Sequence, residues 1–148
     1  METLTLPAEE AYLERLLTFV SEAASDAGFT PKRIREIEVA SEEALVNICH
    51  YAYPETSGIV TITCRIDPQN RLTVDIADSG IPFNCLDVPD PDLGSDLDSR
   101  KMGGLGVYLI KKMTDARYYR REGDQNILTL VFDPLTPEED KGGDKIQQ

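Results

Sequence analysis

The chain has 148 residues, of which 41% are hydrophobic, so it can form one buried core but is short for two domains. Its formal net charge is −12 and its isoelectric point is about 4.4, so the whole protein repels nucleic-acid phosphates and anionic membranes. We therefore expect neither as a direct partner. Its three cysteines lack C-x-x-C spacing, and no apolar run suits a signal sequence or membrane span, which predicts a cytoplasmic protein.

The first third of the chain predicts a short strand followed by two amphipathic helices. Residues 2–6 suit the strand, and Pro7 is expected in the first turn of a helix whose apolar residues recur at helical spacing until Gly28. Thr30 is the predicted N-cap of the second helix, which should end before Pro54. The predicted buried stripe of this second helix is Ile34, Ile37, Ala44, Ile48 and Ala52.

Two pairs of antiparallel strands are predicted further along the chain. Apolar and polar residues alternate over 60–66 and again over 72–76, on either side of the turn signal at 67–70. The segments 116–121 and 127–132 suit a second hairpin. Together with the helices, this pattern predicts an α+β fold in two layers.

Between the hairpins, residues 85–99 are rich in Asp, Pro, Gly and Ser and predict a long loop. A helix with a glycine-rich start is predicted over 103–115. Residues 136–148 have too few apolar side chains to bury a face, so we expect one domain over 1–135 and a disordered tail.

Three short patterns could carry chemistry, although each also has a purely structural interpretation. Glu43 and Asn47 lie one helical turn apart, so the carboxylate and the amide can converge on one point. A carboxylate there could orient or deprotonate a hydroxyl, and an amide oxygen could bind Mg²⁺. At this spacing, an exposed helix edge is the plainer alternative.

The second pattern is Asp78-Ser79-Gly80, which directly follows a buried strand. Gly80 lets the backbone turn and a ligand approach closely, and Asp78 could accept a hydrogen bond from an amine such as that of adenine. Guanine has a carbonyl at that position, which would leave the carboxylate unpaired. An ordinary turn is the alternative.

The third pattern is the glycine run 103–106 at the start of a predicted helix. Unhindered backbone N–H groups there would combine with the positive end of the helix dipole to bind an anion. Seven of the fifteen Lys and Arg residues lie between positions 100 and 121, which also suits a small anionic ligand. A flexible hinge and a solvated surface are the alternatives.

In this order, the three patterns resemble those of a known superfamily. Residues 43–47 (EALVN), 78–83 (DSGIPF) and 102–107 (MGGLGV) resemble the N-box and the two glycine boxes of ATPases with the Bergerat fold, the GHKL superfamily. The Pro-Phe at 82–83 and the run GLGVYLIKKMTD at 104–115 look most like the anti-sigma regulatory serine/threonine kinases. The resemblance covers roughly residues 5–132, and it implies a largely antiparallel mixed sheet with three helices on one face.

The resemblance implies ATP and Mg²⁺ as cofactors, and a role for each matching residue. Glu43 would be the catalytic carboxylate, Asn47 the Mg²⁺ ligand and Asp78 the residue that reads adenine. The implied nucleotide-binding residues are Asn47, Asp78, Gly80, Pro82, Arg100, Lys101, Gly103, Gly104, Leu105 and Gly106. The implied partners are a small antagonist protein, which would be phosphorylated, and a sigma factor, which would be sequestered; a homodimer is also compatible.

One departure and two alternative functions follow. Relatives often read Asn-x-x-x-His-Ala-Tyr, whereas this chain has Tyr51 at the histidine position and its only histidine at His50, which we expect to be a surface or packing residue. If that histidine assists transfer, ATP binding would survive with little kinase activity, as in a purely regulatory ATP-binding module. A histidine-kinase catalytic domain is disfavoured because the first helix has no histidine.

Overall fold

The computed structural model describes residues 1–87 and 104–135, and it contains three α-helices and five β-strands. The helices are α1 (Leu13–Asp26), α2 (Pro31–Asn47) and α3 (Gly104–Met113). The strands are β1 (Glu2–Pro7), β2 (Ile59–Ile66), β3 (Leu72–Asp78), β4 (Ala116–Glu122) and β5 (Gln125–Phe132). Among these helices, none has the length and apolar character needed to cross a bilayer. Most of the predicted loop and the predicted tail lie outside the described residues.

All five strands form one sheet in the order β1-β2-β3-β5-β4, and every pairing is antiparallel. The predicted α+β class and both predicted hairpins are confirmed, but the sheet is antiparallel throughout where a mixed one was expected. The hairpins are joined by the pairing of β3 with β5, which aligns Asp78 with Asn126. This long-range pairing had no local signal in the sequence.

The two faces of the sheet differ because side chains alternate along each strand. One face carries the core against the helices, as in the row formed by Ile62, Ile76 and Leu128. The opposite face is polar, and neighbouring strands are linked there by Thr5 Oγ1 to Thr61 Oγ1 at 2.9 Å. One buried face and one polar face give a two-layer domain.

The helix boundaries follow the local chemistry with one exception. Thr30 caps α2 as predicted, because its Oγ1 accepts a hydrogen bond from the backbone N–H of Arg33 at 3.2 Å. Gly28 has φ +87°, which suits the end of a helix. Pro7 was predicted wrongly, since it ends β1 opposite Ile59 and a 3₁₀ turn at Glu10–Tyr12 precedes α1.

The end of α2 changes its helical type. A π-helical turn at Ile48–Ala52 follows Asn47 directly. The predicted stripe is confirmed at Ile37, Ala44, Ile48 and Ala52, whereas Ile34 is only half-buried. A π turn shifts the side chains that follow it around the helix axis, and such turns often mark functional sites.

Arg33 is a fully buried charge that the sequence did not predict. Its guanidinium donates to the backbone oxygens of Met113 at 2.8 Å and Asp133 at 2.9 Å, and it forms ion pairs with Asp115 and Glu36. These contacts join α2 to the ends of α3 and β5, so the arginine ties the helix layer to the sheet.

We expect Arg33→Met to lower the free energy of unfolding by about 3 kcal/mol, because two partly buried backbone oxygens and a carboxylate lose their donor. Arg35→Met is the matched control, since Arg35 is exposed on the same helix. Urea denaturation of both variants tests this. Equal, small changes would show that the buried cation does not hold the layers together.

Candidate functional site

The end of α2 lies over the end of β3, and this brings two predicted site residues together. Asn47 and Asp78 line the same small cavity of about 20 Å³. Asp78 is buried because it shares the helix-facing side of β3 with Val74 and Ile76. The cavity is also lined by Ala44, Ile48, Ala52, Ile76, Phe83, Cys85, Tyr119, Asn126 and Leu128. Its wall is mainly apolar with a few polar groups, and its volume is enough for roughly one or two water molecules.

Glu43 lies one helical turn before Asn47 on the same edge of α2, next to the first turn of α3. A Cβ added to Gly106 would stand 2.6 Å from Oε2 of Glu43, so a side chain there would displace this carboxylate. Burial, and then the negative charge of Glu42, raises the pKa of Glu43. Glu43 is therefore held one turn from Asn47 and against the glycine-rich helix start.

Gly80 is required where the turn after Asp78 meets the π turn. A Cβ at Gly80 would lie 2.1 Å from the backbone oxygen of Ala52. The N–H of Ile81 donates to that same oxygen at 2.9 Å, and the N–H of Gly80 donates to Oδ1 of Asp78 at 2.9 Å. The glycine thus lets the turn pack directly on the end of the α2 segment.

A buried asparagine completes the surroundings of Asp78. Asn126 Nδ2 donates to Asp78 Oδ1 at 2.9 Å and to the backbone oxygen of Ile81 at 2.8 Å. Its Oδ1 accepts from the Tyr119 hydroxyl at 2.6 Å and from Arg121 Nη1 at 3.2 Å. The network joins β3, β4 and β5 to the turn, and none of these three side chains was predicted.

Tyr53 supports the same turn from its other end. Its hydroxyl donates to the backbone oxygen of Ile59 and accepts from the N–H of Ser79, both at 2.7 Å. Its ring fills the space where a Cβ of Gly58 would be, with the nearest ring atom 2.0 Å away. Burial raises the pKa of Tyr53, so the hydroxyl stays protonated and keeps its donor role at neutral pH.

The cysteines among the described residues are free thiols, and Cys64 and Cys85 are buried. Burial raises the pKa of Cys64 to about 12 and that of Cys85 to about 11. Both thiols are therefore protonated at neutral pH, and they pack as small apolar groups. Cys85 lies in the wall of the small cavity beside Asn47.

The remaining predicted residues are placed unevenly. Leu105 and Gly106 lie in the first turn of α3, which begins at Gly104, and Pro82 is exposed beyond the Gly80 turn. Arg100, Lys101 and Gly103 lie outside the described residues.

The histidine is placed on the surface, as predicted. His50 is exposed, and its Nε2 lies 2.7 Å from Oε1 of Glu10. Tyr51 is 52% exposed, and its ring centroid lies 5.8 Å from that of Phe83. Neither ring lines the small cavity.

A larger open groove of about 830 Å³ is lined by residues 52–59, 79–82 and Arg121. Its lining includes neither Asn47, Asp78 nor any residue of α3. Because it lacks the carboxylate and the helix start that a nucleotide needs, the groove is a poorer candidate for the nucleotide than the region joining Asp78, Asn47, Glu43 and Gly106.

Comparison with known proteins identifies the family of the chain. The family model described as the histidine kinase-like ATPase domain matches residues 6–132. The chain belongs to this family. The matched range includes both the edge of α2 that carries Glu43 and Asn47 and the turn at Asp78.

Curated relatives place the chain in the RsbW branch of the histidine kinase-like ATPases. The serine-protein kinase RsbW of Listeria monocytogenes is 31% identical over 143 residues, which cover 93% of this chain and 90% of that protein. RsbW of Bacillus mycoides is 28% identical over 116 residues, which cover 76% and 72%. Because each similarity covers at least 76% of the chain, it includes residues 43–107, which carry the three motifs.

Solved structures share the fold. The RsbU and RsbW domains of a Mycobacterium tuberculosis protein match with a TM-score of 0.60 at 12% identity, covering 90% of this chain and 32% of that one. The histidine kinase domain of a blue-light activated kinase from Erythrobacter litoralis matches with a TM-score of 0.52 at 17% identity, covering 82% and 59%. At these identities the likeness concerns the fold of this histidine kinase-like ATPase alone.

The two site glycines should respond differently to alanine. Gly80→Ala places a Cβ against the backbone oxygen of Ala52, so we expect it to lower the free energy of unfolding by about 1–3 kcal/mol. Gly106→Ala meets only the end of the flexible Glu43 side chain, and alanine favours a helix by about 1 kcal/mol over glycine.

Gly106→Ala should therefore keep or raise stability while displacing the carboxylate. Urea denaturation of both variants measures the difference. If Gly80→Ala is as stable as the wild type, the close contact between the turn and the π-helical segment is not real.

Proposed function

We propose that this protein is an ATP-dependent protein serine/threonine kinase of the anti-sigma type. The observation that carries the proposal is that Asp78, Asn47, Glu43 and the start of α3 follow one another along the edge of α2. That sequence of groups matches a base, a metal-bound polyphosphate and a reacting hydroxyl. Membership of the histidine kinase-like ATPase family and the RsbW relatives support it.

The described residues fit a bound adenine nucleotide at the base end. Within these residues, the hydrogen bonds to Asp78 reach only its Oδ1, so Oδ2 is left to accept a hydrogen bond from an exocyclic amine. Gly80 lets the turn after Asp78 pack directly on Ala52, which holds the backbone beside this carboxylate. A base with a carbonyl at that position would leave the buried Asp78 carboxylate without a hydrogen-bond donor.

The phosphate end also fits. The first N–H groups of α3 are free of intrahelical partners and lie at the positive end of the helix dipole. Asn47 would contribute its amide oxygen to Mg²⁺, a ligand type that this ion accepts. The described residues contain no cluster of three or more His, Cys, Asp or Glu for a metal, which suits an ion held mainly by phosphates and water. Arg100, Lys101 and Gly103 would add phosphate contacts.

The transfer chemistry would depend on Glu43. Bound ATP and Mg²⁺ would supply the γ-phosphoryl group and neutralise part of its charge. Glu43 would hold the incoming serine or threonine hydroxyl and accept its proton, and its raised pKa makes it a better base than an exposed carboxylate. The α3 start would stabilise the charge that remains on the phosphate oxygens.

The partners belong to the same proposal. The hydroxyl would come from a small antagonist protein, and the protein would sequester a sigma factor until that antagonist displaces it. A cytoplasmic location is proposed with them, supported by the free thiols of the described residues. A homodimer remains part of the proposal, as does a single domain spanning 1–135.

The first measurement is calorimetric titration of ATP with Mg²⁺ into the wild type and into Asp78→Asn. We expect the wild type to bind and Asp78→Asn to lose about tenfold or more in affinity, because an amide replaces the buried acceptor. Asp75→Asn is the control, since Asp75 lies on the opposite face of the same strand. No heat with the wild type, or equal affinity in all three proteins, would exclude the site.

A second assay separates a kinase from a regulatory ATP-binding module. Glu43→Gln should bind ATP as the wild type does but lose phosphate transfer to the antagonist. A wild type that binds ATP and never phosphorylates any candidate antagonist supports the module, for which the exposed Tyr51 at the usual histidine position is the favouring observation.

The pH dependence of transfer should report the surroundings of Glu43. Glu42 raises the pKa of Glu43, so Glu42→Gln should lower that pKa and extend activity to lower pH. The sign follows because a base must be deprotonated, and removing a like charge favours the deprotonated form. The pH profile of kcat/KM measures this shift.

The control for the pH profile is Glu14→Gln, which makes the same charge change at an exposed position on α1. An equal displacement of the acidic limb in both variants would mean that net charge alone moves the profile. No displacement in Glu42→Gln would mean that Glu43 is not the titrating base.

A further inference from the structure

The strongest unassigned feature is the complete engagement of the Asn126 side chain. Both amide hydrogens are used, one by Asp78 Oδ1 and one by the backbone oxygen of Ile81. Its oxygen faces donors only: the Tyr119 hydroxyl, Arg121 Nη1 and the N–H of Phe83. Because the amide oxygen meets donors and the amide nitrogen meets acceptors, a flipped amide would lose these hydrogen bonds, and only one orientation fits.

This engagement has a consequence for Asp78. Oδ1 accepts from Asn126 and from the N–H of Gly80, both at 2.9 Å, so the carboxylate cannot rotate without breaking two bonds. Oδ2 takes no part in these two bonds, and Asp78 lines the small cavity. A buried hydrogen bond that would otherwise vary in direction becomes fixed before a ligand arrives.

The same side chain fixes the turn that follows Asp78. Asn126 holds Ile81 through its carbonyl and Phe83 through its N–H, and Arg121 adds a 2.9 Å bond to the oxygen of Gly80. One residue on β5 therefore positions both the carboxylate and the backbone around it. Asn126 is itself 4% exposed, so water does not compete for these bonds.

We infer that Asn126, oriented by Tyr119, is a positioning residue that sets the selectivity of the site for an amino over a carbonyl group at the purine 6-position. The inference rests on the proposed function, in which Asp78 accepts from the adenine amine. A carboxylate that is free to rotate could move aside from a carbonyl and tolerate it. A clamped carboxylate cannot, so the clamp converts an acceptor into a selective one.

Tyr119 is the part of the clamp that can be removed with the least disturbance. Its hydroxyl donates to Asn126 Oδ1 over 2.6 Å, and its ring packs on the helix-facing side of β4. The neighbouring Tyr118 lies on the opposite face and is 60% exposed. The two tyrosines therefore form a matched pair in which only one hydroxyl belongs to the network.

The test compares ATP with inosine triphosphate, which differs at the 6-position by a carbonyl in place of the amine. Calorimetric Kd values for both nucleotides, with Mg²⁺ and the full chain, define a selectivity ratio for each variant. For Asn126→Ala we expect the ratio of the Kd for inosine triphosphate to the Kd for ATP to fall about tenfold, because a carboxylate that can rotate tolerates the carbonyl and holds the amine less firmly. Tyr119→Phe should lower the ratio less, and Tyr118→Phe should leave it unchanged.

A double variant shows whether Asn126 acts through Asp78. In an Asp78→Asn background, Asn126→Ala should cause no further loss of selectivity, because the positioned carboxylate is already gone. A further tenfold fall there would mean that Asn126 affects the base independently and would overturn the inference.

The outcomes distinguish the two levels of the argument. A selective wild type whose ratio survives both Asn126→Ala and Tyr119→Phe would show a merely structural role and overturn this inference alone. A wild type that binds neither nucleotide overturns the proposed function and this inference with it. A ratio of two dissociation constants measured on the same preparation does not depend on the fraction of protein that is folded. If Asn126→Ala does not fold at all, the milder variant Tyr119→Phe provides the test.

Discussion

The candidate site depends on the pairing of β3 with β5. Their register aligns Asp78 with Asn126 at the last position of β3, on the face that carries the core. A one-residue slip of β5 against β3 would turn Asn126, together with the core-facing side chains of β5, to the polar face and away from Asp78. The hydrophobic pattern of both strands therefore fixes the geometry of the carboxylate, and stability and recognition share one constraint.

A second constraint concerns the edge of α2, where acidic and neutral groups must remain close to an anion site. A strongly acidic chain gains nothing from its overall field when it binds phosphates. Attraction must come from local groups, namely the α3 helix start and nearby cations. Gly106 lets α3 approach Glu43 closely. Burial raises the pKa of this carboxylate, which lies beside a helix start that should attract negative charge.

Much of the fold could be predicted because its signals are local. Alternation predicts both hairpins, and Thr30 and Gly28 mark helix ends through their own backbone chemistry. Asp78, Gly80 and the glycine run could likewise be proposed from short motifs, although their roles are not tested by the fold. Asn126 could not, since an asparagine near a strand end acquires meaning only from its partner 48 positions earlier.

The end of α2 offers fewer proton-accepting side chains than the family motif that this chain resembles. The family motif that this chain resembles has a histidine at the position of Tyr51, whose ring lies against Phe83 and is half exposed. A phenol cannot replace an imidazole as a proton acceptor near neutral pH. His50, one position earlier, contacts Glu10 on the surface and does not line the small cavity. We therefore propose that proton transfer depends on Glu43, a partly buried carboxylate on this edge whose pKa is raised by burial and by its neighbour Glu42.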